Sequence, residues 1–494
     1  MIRIEKLNEL TLKIFCDKDI AMEIYEKFSF QVPGYQYTPK YKKGLWDGQI
    51  HLFNLRNRTL PSGLLVYLFK LAKDNEWQIT VDKSLRLDSF DSDIEQFVEE
   101  VLPDLILEPY DYQMDAFLKS IKLNRSLVLS PTGSGKSFII YLIIRFLLNQ
   151  VPGKILISVP SINLVRQMKT DFCSYESNRF ICDQCYELLS GASKQTSRRV
   201  VIATWAMLYR QDVTFFTQFD VFICDEAHQA DSMALGKIIS MMPHVRYRFG
   251  FTGTLDGSKT HELQCRAWFG SLIKSSSTKD LMDKGLLSTL EIQSLSIEYS
   301  EKDRQEMKAS DYQTEISFIV SHPQRNEFLV DLALSQPNNT LLLFNLIERH
   351  GEVIFKLAEK KAQEKGKKVF FISGDTGVDR REYIRQTMER ENDVVLFASF
   401  GTLAVGVNIK NLGCLIFAHP YKARIRTLQS IGRALRKLIG KEKAILFDIC
   451  DNLSIGKHTN FALKHALERL KIYELEGFDI KYDTIHLLDS VGLI

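Results

Sequence analysis

Two short stretches carry the residues with the best chemistry in this chain. Ser130, Pro131, Thr132, Gly133, Ser134, Gly135, Lys136 and Ser137 spell a phosphate-cradling loop. Backbone N–H groups surround an anion only where the chain turns tightly, and Gly133 and Gly135 permit that turn. Lys136 brings a point charge for β- and γ-phosphates, and Ser137 a hydroxyl for Mg²⁺. The usual spelling, G-x-x-x-x-G-K-[ST], starts with glycine, and here that position is Ser130. The second stretch is Asp225, Glu226, Ala227 and His228, which follows the apolar run 219–224. A carboxylate ending a buried strand can hold Mg²⁺, which gives Asp225 and Ser137 as metal candidates. Glu226 can orient and deprotonate an attacking water. Asp–Glu pairs are common on surfaces, but this one sits directly after an apolar strand. A nucleoside triphosphate site is expected, with Lys136, Asp225 and Glu226 as its catalytic residues.

Such residues need elements to hold them. The run 126–130 reads as a buried strand before the loop, and the apolar stretch after Ser137 as a helix whose N-terminus faces the anion. Short apolar runs then alternate with helical stretches, which predicts parallel βα units buried on both faces. The first series of strands is 126–130, 154–159, 200–204, 219–224 and 247–252. After a break near 274–290 a second series runs 340–345, 368–372, 393–399, 414–418 and 444–447, with helices at 352–365 and 379–390 between. Only the first module has a phosphate loop. In the second, Gln429, Arg433 and Arg436 lie on a basic stretch, 422–443, with eight bases against Glu442. Arg433 and Arg436 are three apart and share a helix face. They either neutralise charge on a transferred phosphoryl group or belong to a basic helix facing solvent or phosphate backbone.

Before the loop, 1–87 mixes a strand (10–15) and a helix (20–28) with a segment rich in aromatic and basic residues around Gly44, Asp47 and Gly48. Lys40, Lys42, Lys43, Arg56 and Arg58 face Asp47 alone there. Bases neutralise phosphates and rings stack on nucleobases. The competing reading is a hairpin with aromatics in its core and lysines merely solvated. From Asp88 to Glu108 the charge reverses, with eight acids and no Lys or Arg, as in a boundary helix and linker that repels DNA. After about 451 one or two helices (459–475) precede a short irregular end.

The 494 residues suggest about three to four domains. Composition is ordinary for a globular protein: 45% hydrophobic, 25% charged, 64 bases against 61 acids, net +3. That balance says nothing about partners. The longest apolar run, 138–148, is broken by Arg145 and falls short of a span of about 20 residues. Met1 to Lys6 has no signal-like apolar core. No membrane partner and a cytoplasmic location are expected. The eight cysteines show no disulfide framework. Cys182 and Cys185, with Cys173 nearby, are a weak zinc pattern, and reduced thiols in a loop are the preferred reading.

In this order and spacing the motifs resemble the motor core of superfamily 2 helicases with a DEAH-spelled motif II, over about residues 108–448. Ser130 to Ser137 resembles motif I, whose first residue is often small. Asp225 to His228 resembles motif II, and Thr252-Gly253-Thr254 motif III. Ala398 to Asn408 resembles motif V, including Ser399, Gly406 and Asn408, and Gln429 to Arg436 resembles motif VI. Gln113 matches the glutamine that reads adenine. Ser158-Val159-Pro160 with Leu164 and Gln167 resembles motif Ia, and Ile202-Ala203-Thr204 motif Ib. The resemblance implies that Arg433 and Arg436 reach the γ-phosphate. It implies that Thr252, Thr254 and Gln429 couple nucleotide state to DNA. It also implies that Gln167, Thr204, Asn345, Ser373 and Ser399 track a nucleic-acid backbone.

With the N-terminal segment, the pattern is similar to the recombination and repair helicases of T-even phages. Their likeness implies two tandem RecA-like parallel-sheet domains, a small N-terminal α+β nucleic-acid-binding domain and a short helical C-terminal tail. The expected parts are 1–87 (DNA-binding), 88–108 (acidic linker), 109–280 and 281–450 (motor domains) and 451–494 (helical tail). ATP and Mg²⁺ are the implied cofactors. Branched, duplex and single-stranded DNA and RNA–DNA hybrids are the implied substrates, with forks, four-way junctions and R-loops foremost and strand annealing as a second activity. Single-strand-binding and recombination proteins are the expected protein partners, a monomer the expected state and the host cytoplasm the expected place. An ATP-gated junction-binding or annealing protein and an RNA remodeller are the alternatives. A restriction-type motor is disfavoured, because the tail is too short to add a nuclease domain.

Overall fold

Ile2, Ile4, Leu12 and Ile14 alternate with polar neighbours, so β1 (Ile2–Lys6) and β2 (Thr11–Phe15) share one apolar face. The computed structural model describes residues 1–86, 90–193, 195–229, 233–404, 409, 411–421, 431–432 and 443–487. The chain divides into two units, one of residues 1–131 with 135–276 and one of 277 onward with 132–134.

The first unit opens with a small α+β domain. A two-stranded ribbon pairs β3 (Ser29–Gln31) antiparallel with β4 (Gln49–His51). β5 (Thr59–Pro61) and β6 (Ile79–Val81) complete a four-stranded sheet of order β5-β2-β1-β6. Helices Lys18–Lys27 and Leu65–Asp74 cover it. The core of this domain takes in Leu263 and Ala267 of helix Lys259–Phe269, so it is continuous with the next domain. A Cβ on Gly63 would lie 2.0 Å from the carbonyl of Arg266, so only glycine fits that approach. Glu9 adds a polar hook: its carboxylate and carbonyl hold Arg125 at 3.1 and 2.8 Å, and its N–H donates to Pro243 at 2.8 Å.

The rest of the first unit is a parallel sheet of β7 (Arg125–Leu129), β8 (Lys154–Val159), β9 (Cys185–Leu188), β10 (Val200–Thr204), β11 (Phe219–Asp225), β12 (Tyr247–Thr252) and β13 (Ser271–Lys274). Its order is β13-β7-β12-β11-β8-β10-β9. Both faces are covered, as continuous apolar strands require. The acidic boundary segment forms helix Asp91–Glu100, whose Ile94 and Phe97 enter the core on one face.

The second unit carries another parallel sheet: β14 (Thr289–Glu298), β15 (Thr340–Phe344), β16 (Lys368–Ile372), β17 (Val394–Ser399), β18 (Cys414–Phe417), β19 (Lys443–Asn452) and β20 (Asp479–His486). Its order is β16-β17-β15-β18-β19-β14-β20. The architecture is two RecA-like domains in tandem behind an N-terminal α+β domain. One expectation fails here. The stretch after helix Phe461–Glu476, expected to be irregular, contains β20, paired parallel with β14 from Glu291 opposite Asp479. Among the described residues no helix is long and apolar enough to cross a membrane.

Candidate active site

Parallel strands bring their C-terminal ends to one edge, where open α/β sheets bind ligands. In the first unit that edge presents Ser130, Thr204, Asp225 and Thr252, each ending or directly following its strand. Ser130 is fully buried, and its N–H donates to the carbonyl of Thr252 at 2.9 Å. Its backbone is not left-handed, so a small side chain replaces the usual glycine without strain. Pro131, Thr132, Gly133 and Ser134 complete the turn. Gly133 and Gly135 have φ of 88° and 76°, which glycine adopts freely. A Cβ at Gly135 would come within 2.4 Å of the Gln113 amide nitrogen. Gln113 is buried on helix Asp111–Leu123, and its Oε1 accepts the N–H of Tyr110 at 3.0 Å. Helix Lys136–Gln150 starts at once, so its free N–H groups face the loop.

Lys136 Nζ lies 2.6 Å from Asp225 Oδ1 and 3.3 Å from Glu226 Oε1. Burial by itself would lower the Lys136 pKa, but the two carboxylates outweigh it and hold the ammonium above the usual lysine range. Burial raises Asp225, against the pull of Lys136. For Glu226 burial is outweighed by Lys136 and His228, which hold it down at about 2. Glu226 also has φ of 56°, an uncommon conformation for a non-glycine residue, which places it just beyond the strand end. His228 Nδ1 is 3.2 Å from Glu226 Oε2 and 3.0 Å from Thr252 Oγ1. Thr252 donates in turn to the carbonyl of Thr254 at 2.8 Å. A continuous chain of polar contacts therefore runs from Lys136 to Thr254. Ser137 Oγ is 2.7 Å from the phenol of Tyr175, a partner that no sequence motif indicated.

The residues expected to meet nucleic acid lie at several places. Thr204 caps the helix after β10, accepting the N–H of Met207 at 3.3 Å. Gln167 is half-buried on helix Ile162–Tyr175. In the second unit Asn345, Ser373 and Ser399 sit at the C-terminal ends of β15, β16 and β17, which are neighbours, so they line one edge. Asn345 is exposed. The N–H of Ser373 donates to Thr376 Oγ1 at 3.0 Å, and Ser399 Oγ is 2.7 Å from Thr402 Oγ1. In the N-terminal domain Lys40, Lys42, Lys43 and Arg56 are exposed, the first two on the short helix Pro39–Lys42. Arg58 differs: its guanidinium lies 3.4 Å from the carbonyls of Cys16 and Asp17. The rings divide likewise. Tyr35 packs edge-on against Tyr41 with centroids 4.7 Å apart, whereas Tyr37 and Leu45 are each 76% exposed. Gly406, Asn408, Gln429, Arg433 and Arg436 lie outside the described residues.

The thiols need a correction. Cys173 and Cys182 are joined in a disulfide, with Cα atoms 4.8 Å apart, where reduced side chains were expected. Helix Ile162–Tyr175 and helix Phe180–Gln184 pack closely enough to bring them together, which a separation of nine residues did not reveal. Cys185 is a buried free thiol.

Three family models match the chain. The one described as "Type III restriction enzyme, res subunit" covers residues 106–257, "Helicase conserved C-terminal domain" covers 324–437, and "DNA helicase UvsW, N-terminal" covers 2–82. The chain is 30% identical over 499 residues to the ATP-dependent DNA helicase UvsW of Enterobacteria phage T4, across 96% of this chain and 98% of that protein. The crystal structure of T4 UvsW superposes with a TM-score of 0.51 at 28% identity, covering 99% of this chain and 100% of that one. A DNA 3'-5' translocase, XPB2 of Sulfurisphaera tokodaii, is 23% identical across 69% of this chain and 81% of its own length.

Proposed function

The chain belongs to the UvsW family of ATP-dependent DNA helicases, and from that premise we propose that it unwinds and branch-migrates branched DNA at forks, four-way junctions and R-loops, and anneals complementary strands. It is an ATP hydrolase that acts on nucleic acid. The observation that carries the site assignment is the buried cluster of Lys136, Asp225 and Glu226 directly beside a glycine-turned loop at a helix N-terminus. One ammonium faces two carboxylates, so phosphate arriving at Lys136 releases a carboxylate for other work.

The donor set suits a hard divalent cation, because a serine hydroxyl and a carboxylate are oxygen ligands of the kind Mg²⁺ prefers. Ser137 and Asp225 would hold Mg²⁺, which neutralises phosphate charge when bound. Lys136 turns from the carboxylates to the phosphates. That movement takes away the cation that holds Glu226 low, so Glu226 becomes a better base for the attacking water. Gln113 offers its amide to the base, and Pro131 to Ser134 shape the cradle. Gly406 and Asn408 join the nucleotide site, and Arg433 and Arg436 offset the developing phosphoryl charge, on the strength of their motifs. Thr252, Thr254 and Gln429 relay nucleotide state. Strand contacts fall to Gln167, Thr204, Asn345, Ser373 and Ser399, and duplex contacts to Lys40, Lys42, Lys43 and Arg56, while Arg58 is committed to the carbonyls of Cys16 and Asp17. A monomer working in a host cytoplasm beside single-strand-binding and recombination proteins is consistent with this role.

Lys136→Ala tests the site. DNA-stimulated ATP hydrolysis should vanish while DNA binding persists, and normal turnover in that variant overturns the assignment. ATPase stimulation and strand separation across single-stranded, blunt duplex, forked, four-way and RNA–DNA hybrid substrates test the substrate. Forks, junctions and hybrids should exceed blunt duplex, and equal activity on all of them overturns the branched-DNA reading.

A further inference from the structure

We infer that Tyr175 is a positioning residue for the nucleotide site, fixing the Ser137 hydroxyl so that a lone pair is presented to the divalent cation. A serine in the first turn of a helix can rotate about χ1, and its hydroxyl can turn to backbone or water. The phenol of Tyr175, 2.7 Å away, removes that freedom. A hydroxyl has one proton and two acceptor sites, so in either direction of this bond Ser137 keeps at least one lone pair open.

The phenol is itself held from several sides. Its ring meets Phe138 and Tyr141 edge-on, with centroids 4.8 and 5.4 Å away. The backbone carbonyl of Tyr175 accepts the N–H of Ile106 at 2.9 Å. The next residue, Glu176, is buried, accepting the Tyr141 hydroxyl at 2.6 Å and the N–H of Ile181. The Cys173–Cys182 disulfide pins the last turn of the same helix.

The inference rests on reading Ser137 as a metal ligand, and the experiment separates the two. Full-length Tyr175→Phe keeps the ring and deletes only the hydroxyl. Binding of a fluorescent ATP analogue is titrated with and without MgCl₂, with ATPase kinetics and thermal melting alongside. The affinity gained on adding Mg²⁺ should shrink roughly five- to tenfold, the scale of one hydrogen bond. Metal-free affinity and melting temperature should hold, and KM for MgATP should rise more than kcat falls. An unchanged Mg²⁺-dependent gain, or an equal loss of metal-free affinity, overturns the positioning role. Ser137→Ala is run in parallel. If it keeps the full Mg²⁺-dependent gain, the reading of Ser137 as a metal ligand has failed; if it loses that gain while Tyr175→Phe matches the unmutated protein, only the role of Tyr175 has failed.

Discussion

The two parallel sheets are built to one plan but place charge differently. In the first unit Lys136, Asp225 and Glu226 gather at the strand ends, one cation against two anions. In the second unit two buried arginines are each matched by a buried aspartate. Arg325 meets Asp451 through two bonds of 2.6 and 2.9 Å, and Tyr299 adds a third at 2.8 Å. Arg469 grips Asp448 from 2.6 to 3.0 Å, with Tyr473 completing it at 2.8 Å. Each such pair balances its charge within itself, and its role is to hold β19 against its covering helices. An unbalanced cluster can exchange a partner, which is what a site needs and a core does not.

Two substitutions should separate these uses of charge most sharply. Glu226→Gln keeps shape and removes the base, so kcat should fall by about 10²- to 10⁴-fold while melting barely moves. Retained turnover would mean that another group activates the water. Arg469→Met does the reverse. It leaves Asp448 buried without its cation, which costs about 3–5 kcal/mol. Hydrogen exchange should show β19 losing protection while β11 and β12 keep theirs. An intact β19 would mean that the pair contributes little to the core.

How far the sequence could be read follows the same physics. Interior strands such as β8, β10 and β12 are buried and largely apolar, Arg248 of β12 aside, and their limits match the stretches read from the sequence. In the two parallel sheets the strands that escaped are β9, β13, β14 and β20, which lie at the sheet edges or next to one. Asp479–His486 is mostly exposed, with only Ile480 and Ile485 partly buried, so burial does not mark it. In β14, Ser294 is buried among Leu290, Ile292 and Leu295, which blurs the alternation. The chemistry was legible where one motif holds all the parts, as in Lys136 and Ser137. It was illegible where packing alone creates the interaction, as between Ser137 and Tyr175 or Cys173 and Cys182. Local spacing also gave Arg58 the same standing as Lys40, although its guanidinium faces carbonyls across the domain.

Acid should probe the second unit next. His419 is buried beside Arg325, and burial first, then that cation, lower it to about 3 from an ordinary value of 6.5. His350 is lowered by the same two causes. The unfolded chain therefore takes up protons that the folded rings refuse. Stability is whole above pH 6.5 and falls as pH drops toward 3. Between about pH 7 and pH 5 the loss should be on the order of 2 kcal/mol for each ring, seen as faster exchange in β15 and β18. Replacing both rings, His350→Phe with His419→Phe, should flatten that dependence. A slope that survives would assign it to other groups.

The smallest effect concerns the N-terminal domain, where open and committed charge stand side by side. Lys40, Lys42 and Lys43 are exposed, and Thr38 caps the short helix that carries the first two. Changing all three to glutamine removes charge without touching the core, so melting should not move. If the lysines meet phosphates, the plot of log K against log salt should flatten by roughly 0.9 for each duplex phosphate that is no longer neutralised. Arg58 makes the matching control, because its guanidinium spans toward Cys16 and Asp17 and its backbone has φ of 52°. Arg58→Gln should lower stability by about 1 kcal/mol, since it removes charged donors from carbonyls. Its salt slope should stay near that of the unmutated protein. A steep slope in the triple variant would turn the lysines into solvated bystanders of a folded hairpin, and a flattened slope in Arg58→Gln would show that the guanidinium leaves its carbonyls to reach DNA.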